Sequence, residues 1–306
     1  MYRFVVSIIN YKTPVETIRC VNSVLSVIDK KSDLVVMVDN FSNDGSIETL
    51  QEYISANNLQ ANVVLLANEV NGGFSYGNNT AIKQFEAKYY YLLNSDAIIS
   101  NIDLDYITDV YRNNPGLGVL STKVLNFDGS ADPEGFNNRT IGNELVTAAQ
   151  DGLIMSFMRK VFGVKPVVEE RSDQAELLRV EWVSFCSVFV SSKAIREVGY
   201  LDSGYFMYRE DNDYCRRTYE QGMWVGVVRS QSVLHESLGL SRQSLNRKPK
   251  FYYESRRRYY EKYYGKSGYY SANLMYCFGY AIDFLKSALL RRSKHNPDKA
   301  WLDIWV

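Results

Sequence analysis

The chain has 306 residues and a mass of 35.2 kDa, enough to bury a core without disulfides or a structural metal. Its 35 Lys/Arg balance 35 Asp/Glu at 46% hydrophobic content, which excludes both a disordered chain and a uniformly basic nucleic-acid binder. That neutrality is an average: residues 241–306 hold 14 Lys/Arg against 5 Asp/Glu, residues 1–240 hold 21 against 30, and 10 of the 24 tyrosines fall between Tyr252 and Tyr280.

Taken in chain order, the first third alternates β-branched runs with helical spacing. Residues 4–9, 34–38, 63–66 and 89–93 read as strands bounded by Asn, Asp or Gly; 15–28, 46–57 and 76–87 read as helices. This βαβαβαβ series predicts an α/β fold with a mostly parallel central sheet flanked by helices, in which ligands sit outside the carboxyl ends of the strands. Residues 118–125 read as a further strand. Periodicity then weakens over 128–179, where DGSADPEGFNNRT reads as an exposed loop and 153–164 as a short helix, so an insertion or lid is expected there. Residues 180–191 form a near-continuous apolar run, a helix starts at 192–197, and 225–233 reads as the last strand. From Phe251 onward the sequence is helical, aromatic and basic.

The four cysteines, Cys20, Cys186, Cys215 and Cys277, are scattered without metal-ligand spacing, which predicts reduced thiols and a cytoplasmic setting. No leader pattern follows Met1, and the apolar tract 274–290 is broken by Asp283 and Lys286, so no transmembrane span is expected.

Five segments carry residues suited to chemistry, each with a bland account beside it. Asp39 in VVMVDNFSNDGS ends a buried strand, where a carboxylate suits a nucleobase or ribose; turn chemistry and helix capping by Asn43, Asp44 or Ser46 explain the segment equally simply. NEVNGGFSYGNNTAIK puts glycines and a helix start together, as anion binding requires, yet it is no dinucleotide fingerprint. YYYLLNSDAII delivers Asn94, Ser95 and Asp96 from a hydrophobic strand, and a carboxylate there needs a partner such as a divalent cation. YFMYREDNDYCRR holds Glu210, Asp211 and Asp213 before Arg216 and Arg217; ordinary helix pairing accounts for it, and so does a general base beside an acceptor pocket. His235, one of 2 histidines, follows a strand, where it is either a core residue or part of an oxygen-rich metal site.

In this order and spacing, VSIINYKT, VDNFSNDGS, NGGFSYGNN, LLNSDAII, EDND and His235 resemble the family-2 inverting glycosyltransferases of the GT-A fold, in particular a bacterial rhamnosyltransferase-like branch. The resemblance spans roughly residues 3–240. It implies a GT-A (nucleotide-diphospho-sugar transferase) domain over 1–240, with a nucleotide-sugar part at 1–125, a variable loop or lid at 126–180, an acceptor and base part at 181–240, and a helical extension at 241–306. It further implies that Asn10, Tyr11, Asp39, Asn71, Gly73, Phe74, Asn78, Asn94 and Ser95 contact the nucleotide-sugar. Asn94–Ser95–Asp96 stands where the family has its DxD motif, with Asn for the first acid. Asp96 and His235 are then the implied ligands of Mg2+ or Mn2+. Asp211 is the implied base and Glu210 the weaker candidate, while Trp182 and Cys186 are placed on the acceptor floor.

The implied activity is an inverting sugar transfer, with L-rhamnose from dTDP-rhamnose as the first donor and UDP-sugars next. The implied acceptor is a growing, lipid-linked glycan of the kind found in lipopolysaccharide O-antigen or capsule assembly. No nucleic-acid partner is expected. The basic aromatic segment 251–292 suits peripheral contact with the inner face of the cell membrane or a homodimer. Two alternatives stay open: a nucleotidyltransferase, although NYKTPVET replaces the Gly-rich basic loop such enzymes carry after strand one, and a non-catalytic nucleotide-sugar-binding or assembly module.

Overall fold

The computed structural model describes residues 1–149, 175–236, 248–289 and 303–306; the helix predicted over 153–164 lies outside them. The first half alternates β1 (Tyr2–Asn10), α1 (Pro14–Leu25), β2 (Leu34–Asp39), α2 (Ser46–Ala56), β3 (Val63–Ala67), α3 (Gly73–Gln84) and β4 (Ala87–Asn94). β1 and β2 are buried on both faces, as continuous Val/Ile runs require when helices cover a parallel sheet from both sides. β1 pairs in parallel with β2 and β4, setting Asn10 opposite Asp39 and Ile9 opposite Asn94. One edge of the molecule therefore receives three polar strand ends from three apolar strands.

The rest of the chain turns this half-sheet into a mixed one. β5 (Ala97–Asn101), α4 (Leu104–Asn113), β6 (Leu117–Asn126), α5 (Ile141–Ala149), β7 (Leu177–Val180), β8 (Ser187–Ser191), α6 (Ser192–Val198), α7 (Glu210–Glu220) and β9 (Trp224–His235) follow. The strand order is β3-β2-β1-β4-β8-β6-β9-β5, with β7 on β9. β8 runs antiparallel to both β4 and β6. The β6–β9 register jumps from Thr122 opposite Val228 to Lys123 opposite Ser232, a bulge that bends β9. Beyond the bend β9 pairs with β5, which sets Ala97 opposite His235.

Three expectations change. The apolar run 180–191 is two strands joined by a buried connector holding Trp182, Val183, Phe185 and Cys186. Residues 97–101 and 104–113, left without an element in the sequence reading, form β5 and α4; Asp103 caps α4 by accepting the Asp105 and Tyr106 N–H groups. The loop around 128–140 is exposed only in its first part. Phe136 stacks on Trp182 at 4.2 Å and the two backbones bridge, because the apolar ring in an otherwise polar stretch has this indole to cover.

The extension, α8 (Lys250–Leu289), is two helical arms meeting at Gly265, whose φ of 70° and ψ of 178° suit glycine alone. Seventeen residues of straight helix span about 25 Å, yet Arg256 Nη1 donates to Asn273 Oδ1 at 2.5 Å. The second arm therefore doubles back along the first. α5 packs against this hairpin, and the buried Glu144 carboxylate accepts from Arg256 at 3.0 Å and from Tyr260 at 2.6 Å.

Candidate functional site

The first cluster lies at the ends of β1 and β2. Asp39 is wholly buried, and its Oδ1 accepts from Asn10 Nδ2 at 2.7 Å and from the Ser42 hydroxyl at 2.5 Å; Oδ2 accepts from the Ser42 N–H at 3.0 Å. Thr17 donates to Asn10 Oδ1 at 2.9 Å, which fixes the amide with its NH2 toward the acid. Tyr11 stands exposed beside them. The bland reading of this segment holds one turn further on, where Asp44 accepts from the Ser46 N–H and hydroxyl.

The second wall is the start of α3. Asn71 Oδ1 accepts from Asn40 Nδ2 and from the Gly73 N–H, and Asn68 donates to Asn40 Oδ1 at 3.0 Å. Gly73 has φ +81°, and a Cβ there would lie 1.8 Å from Phe206 O. Its absence lets the Phe74 N–H reach Phe206 O at 2.9 Å, tying α3 to the loop that leads into α7. Asn78 is buried, accepting from Ser7 and donating to Phe74 O, while Asn79 clamps the same distant loop through Leu201 and Ser203. The GNN element thus braces the wall from behind.

The third group joins the turn after β4 to the end of β9. Asp96 Oδ1 faces His235 Nε2 at 3.2 Å, as the pairing of Ala97 with His235 demands. Burial alone would lower the His235 imidazole, but hydrogen bonds to Asp96 and Cys186 outweigh it and hold its pKa up at about 10. Cys186, expected on the acceptor floor, sits against this imidazole, and burial pushes its thiol up so that it stays protonated. Its carbonyl accepts from the Asn94 N–H at 2.9 Å. Among the described residues no group of three His, Cys, Asp or Glu side chains stands ready to hold a metal. A carboxylate with one imidazole fits a hard cation that takes most of its shell from phosphate oxygens and water, provided the cation displaces the proton that Asp96 otherwise holds on His235.

The fourth group is the start of α7. Tyr208 and Arg209 lie consecutively at φ 70° and 72°, a left-handed pair costing about 1–2 kcal/mol per residue. The first arm of α8 holds it in place: Tyr208 stacks on Phe251, and Ser255 donates to Met207 O at 2.9 Å. This sharp entry brings Glu210 and Asp211 to the helix start. Glu210 is buried with Oε2 unpartnered, and Asp211 Oδ1 accepts the Asn212 N–H at 2.7 Å. Burial, with the neighbouring Asp211 charge, pushes the Glu210 carboxyl well above the usual range; burial pushes Asp211 up to about 6 against the opposing pull of Arg209. Both acids therefore hold their protons to higher pH than free carboxyls do. Trp182, in the buried connector, donates from Nε1 to Asn137 O at 2.9 Å.

Sequence reasoning passed over Asn40, Ser42, Arg139 and Arg209. Ser42 and Asn40 lay in view as turn residues after Asp39. The two arginines carried no signal, since their neighbours come from α5 and α8.

Residues 5–150 match the family described as Glycosyl transferase family 2. The chain carries a glycosyl transferase family 2 domain. It is 24% identical over 237 residues to the low-salt glycan biosynthesis hexosyltransferase Agl10 of Haloferax volcanii, covering 74% of this chain and 65% of that protein. It is 26% identical over 224 residues to the N-acetylglucosaminyl-diphospho-decaprenol L-rhamnosyltransferase of Mycobacterium tuberculosis, with 69% of each chain covered. Solved structures of the same GT-A architecture include S. aureus TarS 1-349 in complex with UDP-GlcNAc, at a TM-score of 0.55 and 15% identity over 99% of this chain and 79% of that one. GalNAc-T7 with UDP, GalNAc and Mn2+ aligns at a TM-score of 0.57 and 16% identity, over 77% of this chain and 44% of that one. The chain thus spans just under two thirds of the length of the Haloferax relative.

Proposed function

We propose that this glycosyltransferase moves a sugar from a nucleoside diphosphate to an acceptor hydroxyl with inversion of the anomeric centre. The observation that carries the reading is the acid pair at the start of α7: Glu210, buried with Oε2 unpartnered, beside Asp211, whose pKa of about 6 suits a general base at neutral pH. In this reading Asp211 takes the acceptor hydroxyl proton as that oxygen attacks the sugar from the face opposite the departing diphosphate. Glu210, its carboxyl pKa raised by burial, orients the acceptor. Asp39, held by Asn10 and Ser42, receives the base or ribose, and the braced turn of Asn71, Gly73 and Phe74 walls the donor, with Tyr11, Asn94 and Ser95 at its rim. Asp96 and His235 would hold a divalent cation, which when bound neutralises diphosphate charge.

Donor and acceptor belong to the same proposal. The named activity of the mycobacterial relative supports L-rhamnose as the sugar and a diphosphate lipid-linked glycan as acceptor, and the sequence resemblance adds dTDP-rhamnose as the donor. The second arm of α8 adds a surface argument. Tyr270, Leu274, Phe278 and Leu285 are each more than half exposed and fall on one helical face, while no helix among the described residues is long and apolar enough to cross a membrane. We assign that face to the surface of an anionic bilayer, where a lipid-linked acceptor is found.

Incubating the protein with dTDP-rhamnose or UDP-sugars, Mn2+ and a lipid-linked glycan tests the activity, with the product read by NMR. Transfer with an inverted anomeric centre is the expected result. Retention would overturn the single-displacement mechanism.

A further inference from the structure

We propose that Arg139 and Arg209 form a subsite for a phosphate group of the acceptor, beside Asp211. The inference rests on the transferase reading and specifies the class of acceptor: one bearing a phosphate or diphosphate close to the sugar that is extended.

Arg209 is only 7% exposed, and its guanidinium makes no hydrogen bond or ion pair among the described residues; it lies over the Tyr259 ring at 5.9 Å. Arg139 Nε is likewise buried without a hydrogen-bond partner. The two guanidinium groups are near enough to act on each other: burial first, then the Arg209 charge, lowers the Arg139 pKa. Arg209 is buried and Arg139 partly so, and neither forms an ion pair with a carboxylate among the described residues, which is uncommon because a buried cation is ordinarily matched by an anion. Glu144 acts electrostatically on both arginines, but its hydrogen bonds go to Arg256 and Tyr260. Glu210 and Asp211 are the other acids beside the arginines, and burial disfavours the charged form of each. Guanidinium donors are thus left without a partner, and their planar fork matches phosphate oxygens.

Further observations mark this as a place for a ligand. Two other buried polar atoms at the same helix start, Glu210 Oε2 and Asn212 Oδ1, also lack hydrogen-bond partners. Tyr252, Tyr260, Glu144 and Tyr259 act electrostatically on Arg209, and Tyr264 donates to Arg139 O at 2.9 Å, so the basic extension contributes to the surroundings of both arginines. Asp96, His235 and Cys186 form their own group, to which neither arginine belongs. The acceptor is accordingly the assigned source of the phosphate, and the donor diphosphate is the competing one.

The test titrates full-length protein, saturated with UDP, with inorganic pyrophosphate followed by calorimetry. One further equivalent should bind, and Arg139→Gln should weaken it about tenfold or more, the loss of a charged hydrogen bond, with partial recovery in Arg139→Lys. Unchanged UDP affinity in both variants is the expected control for folding. A sugar on an alkyl diphosphate should compete with pyrophosphate, and the same sugar on a neutral alkyl chain should not. The proposal is overturned if UDP abolishes pyrophosphate binding, if Arg139→Gln binds it like the wild type, if UDP affinity falls in parallel, or if the neutral glycoside competes equally well. Failure of UDP to bind at all would sink the transferase reading, while pyrophosphate titration of wild type against Arg139→Gln would still decide the subsite.

Discussion

At the scale of single residues, the same burial that tunes the acid pair also makes it costly. Asp211 and Glu210 have folded-state pKa values above their unfolded ones, so between about pH 4 and 6 the native chain binds more protons than the unfolded chain. Their contribution to stability is therefore lost as pH rises. Asp211→Asn should raise stability at pH 7.5 by on the order of 2 kcal/mol, measurable by urea unfolding, while transfer falls by about 10²–10⁴ and UDP affinity in isothermal titration stays constant. In the wild type, kcat/KM should climb through pH 6 and level off above it, because the ionised Asp211 is the active form. Gly73→Ala places a methyl group 1.8 Å from Phe206 O at φ +81°; a loss of at least about 2 kcal/mol is expected in thermal unfolding, with weaker nucleotide binding as the wall and the 206 loop separate.

At the scale of elements, the acids of α7 divide between chemistry and architecture. Asp213 is fully buried and receives Arg217 at 2.8 Å, Lys262 at 2.6 Å and the Tyr263 hydroxyl at 2.8 Å. It therefore clamps α7 to the first arm of α8, as ordinary helix pairing foresees for Arg217 but not for the two partners from the extension. Asp213→Asn leaves two cations facing a neutral amide and should cost about 3 kcal/mol or more. Limited proteolysis should then cut α8 faster than in the wild type. The GNN element shows the same division: Asn78 and Asn79 spend their amides inside the fold, on Ser7, Phe74, Leu201 and Ser203. Their spacing in the sequence was legible, but those partners are up to 124 residues away and could not be read from it.

At the scale of the whole molecule, the charge asymmetry seen in the composition acquires a structural sense. The basic extension folds back at Gly265, covers the loop before α5 and the entry to α7 with tyrosines, and turns an apolar face outward. Vesicles containing anionic lipid should bind the protein at low ionic strength and release it at high salt, as a flotation assay would show; Phe278→Asp with Leu274→Asp should abolish binding. Equal flotation of the double variant would remove the membrane assignment, and loss of a dimer in light scattering would give the face to a second copy. Chelation should weaken binding of the intact nucleotide-sugar more than that of the nucleoside, since only the former brings phosphates to the Asp96–His235 pair.

The sequence by itself determined the alternating parallel half of the sheet, because period-2 and period-3.6 patterns are local, and it marked Asn10, Asp39, Asn71, Gly73 and Asp96 as polar residues beside apolar runs. It also put Glu210 and Asp211 at a helix start. Only the tertiary structure decided what faces them. The bulge that bends β9 sets His235 against Asp96, the buried connector brings Cys186 to both, and the hairpin at Gly265 encloses Arg139 and Arg209 with the acid pair. Desolvation and charge pairing depend on distances between residues remote in the chain, and it is those two effects that turn an ordinary helix-start pattern into a pair of carboxyls with raised pKa values.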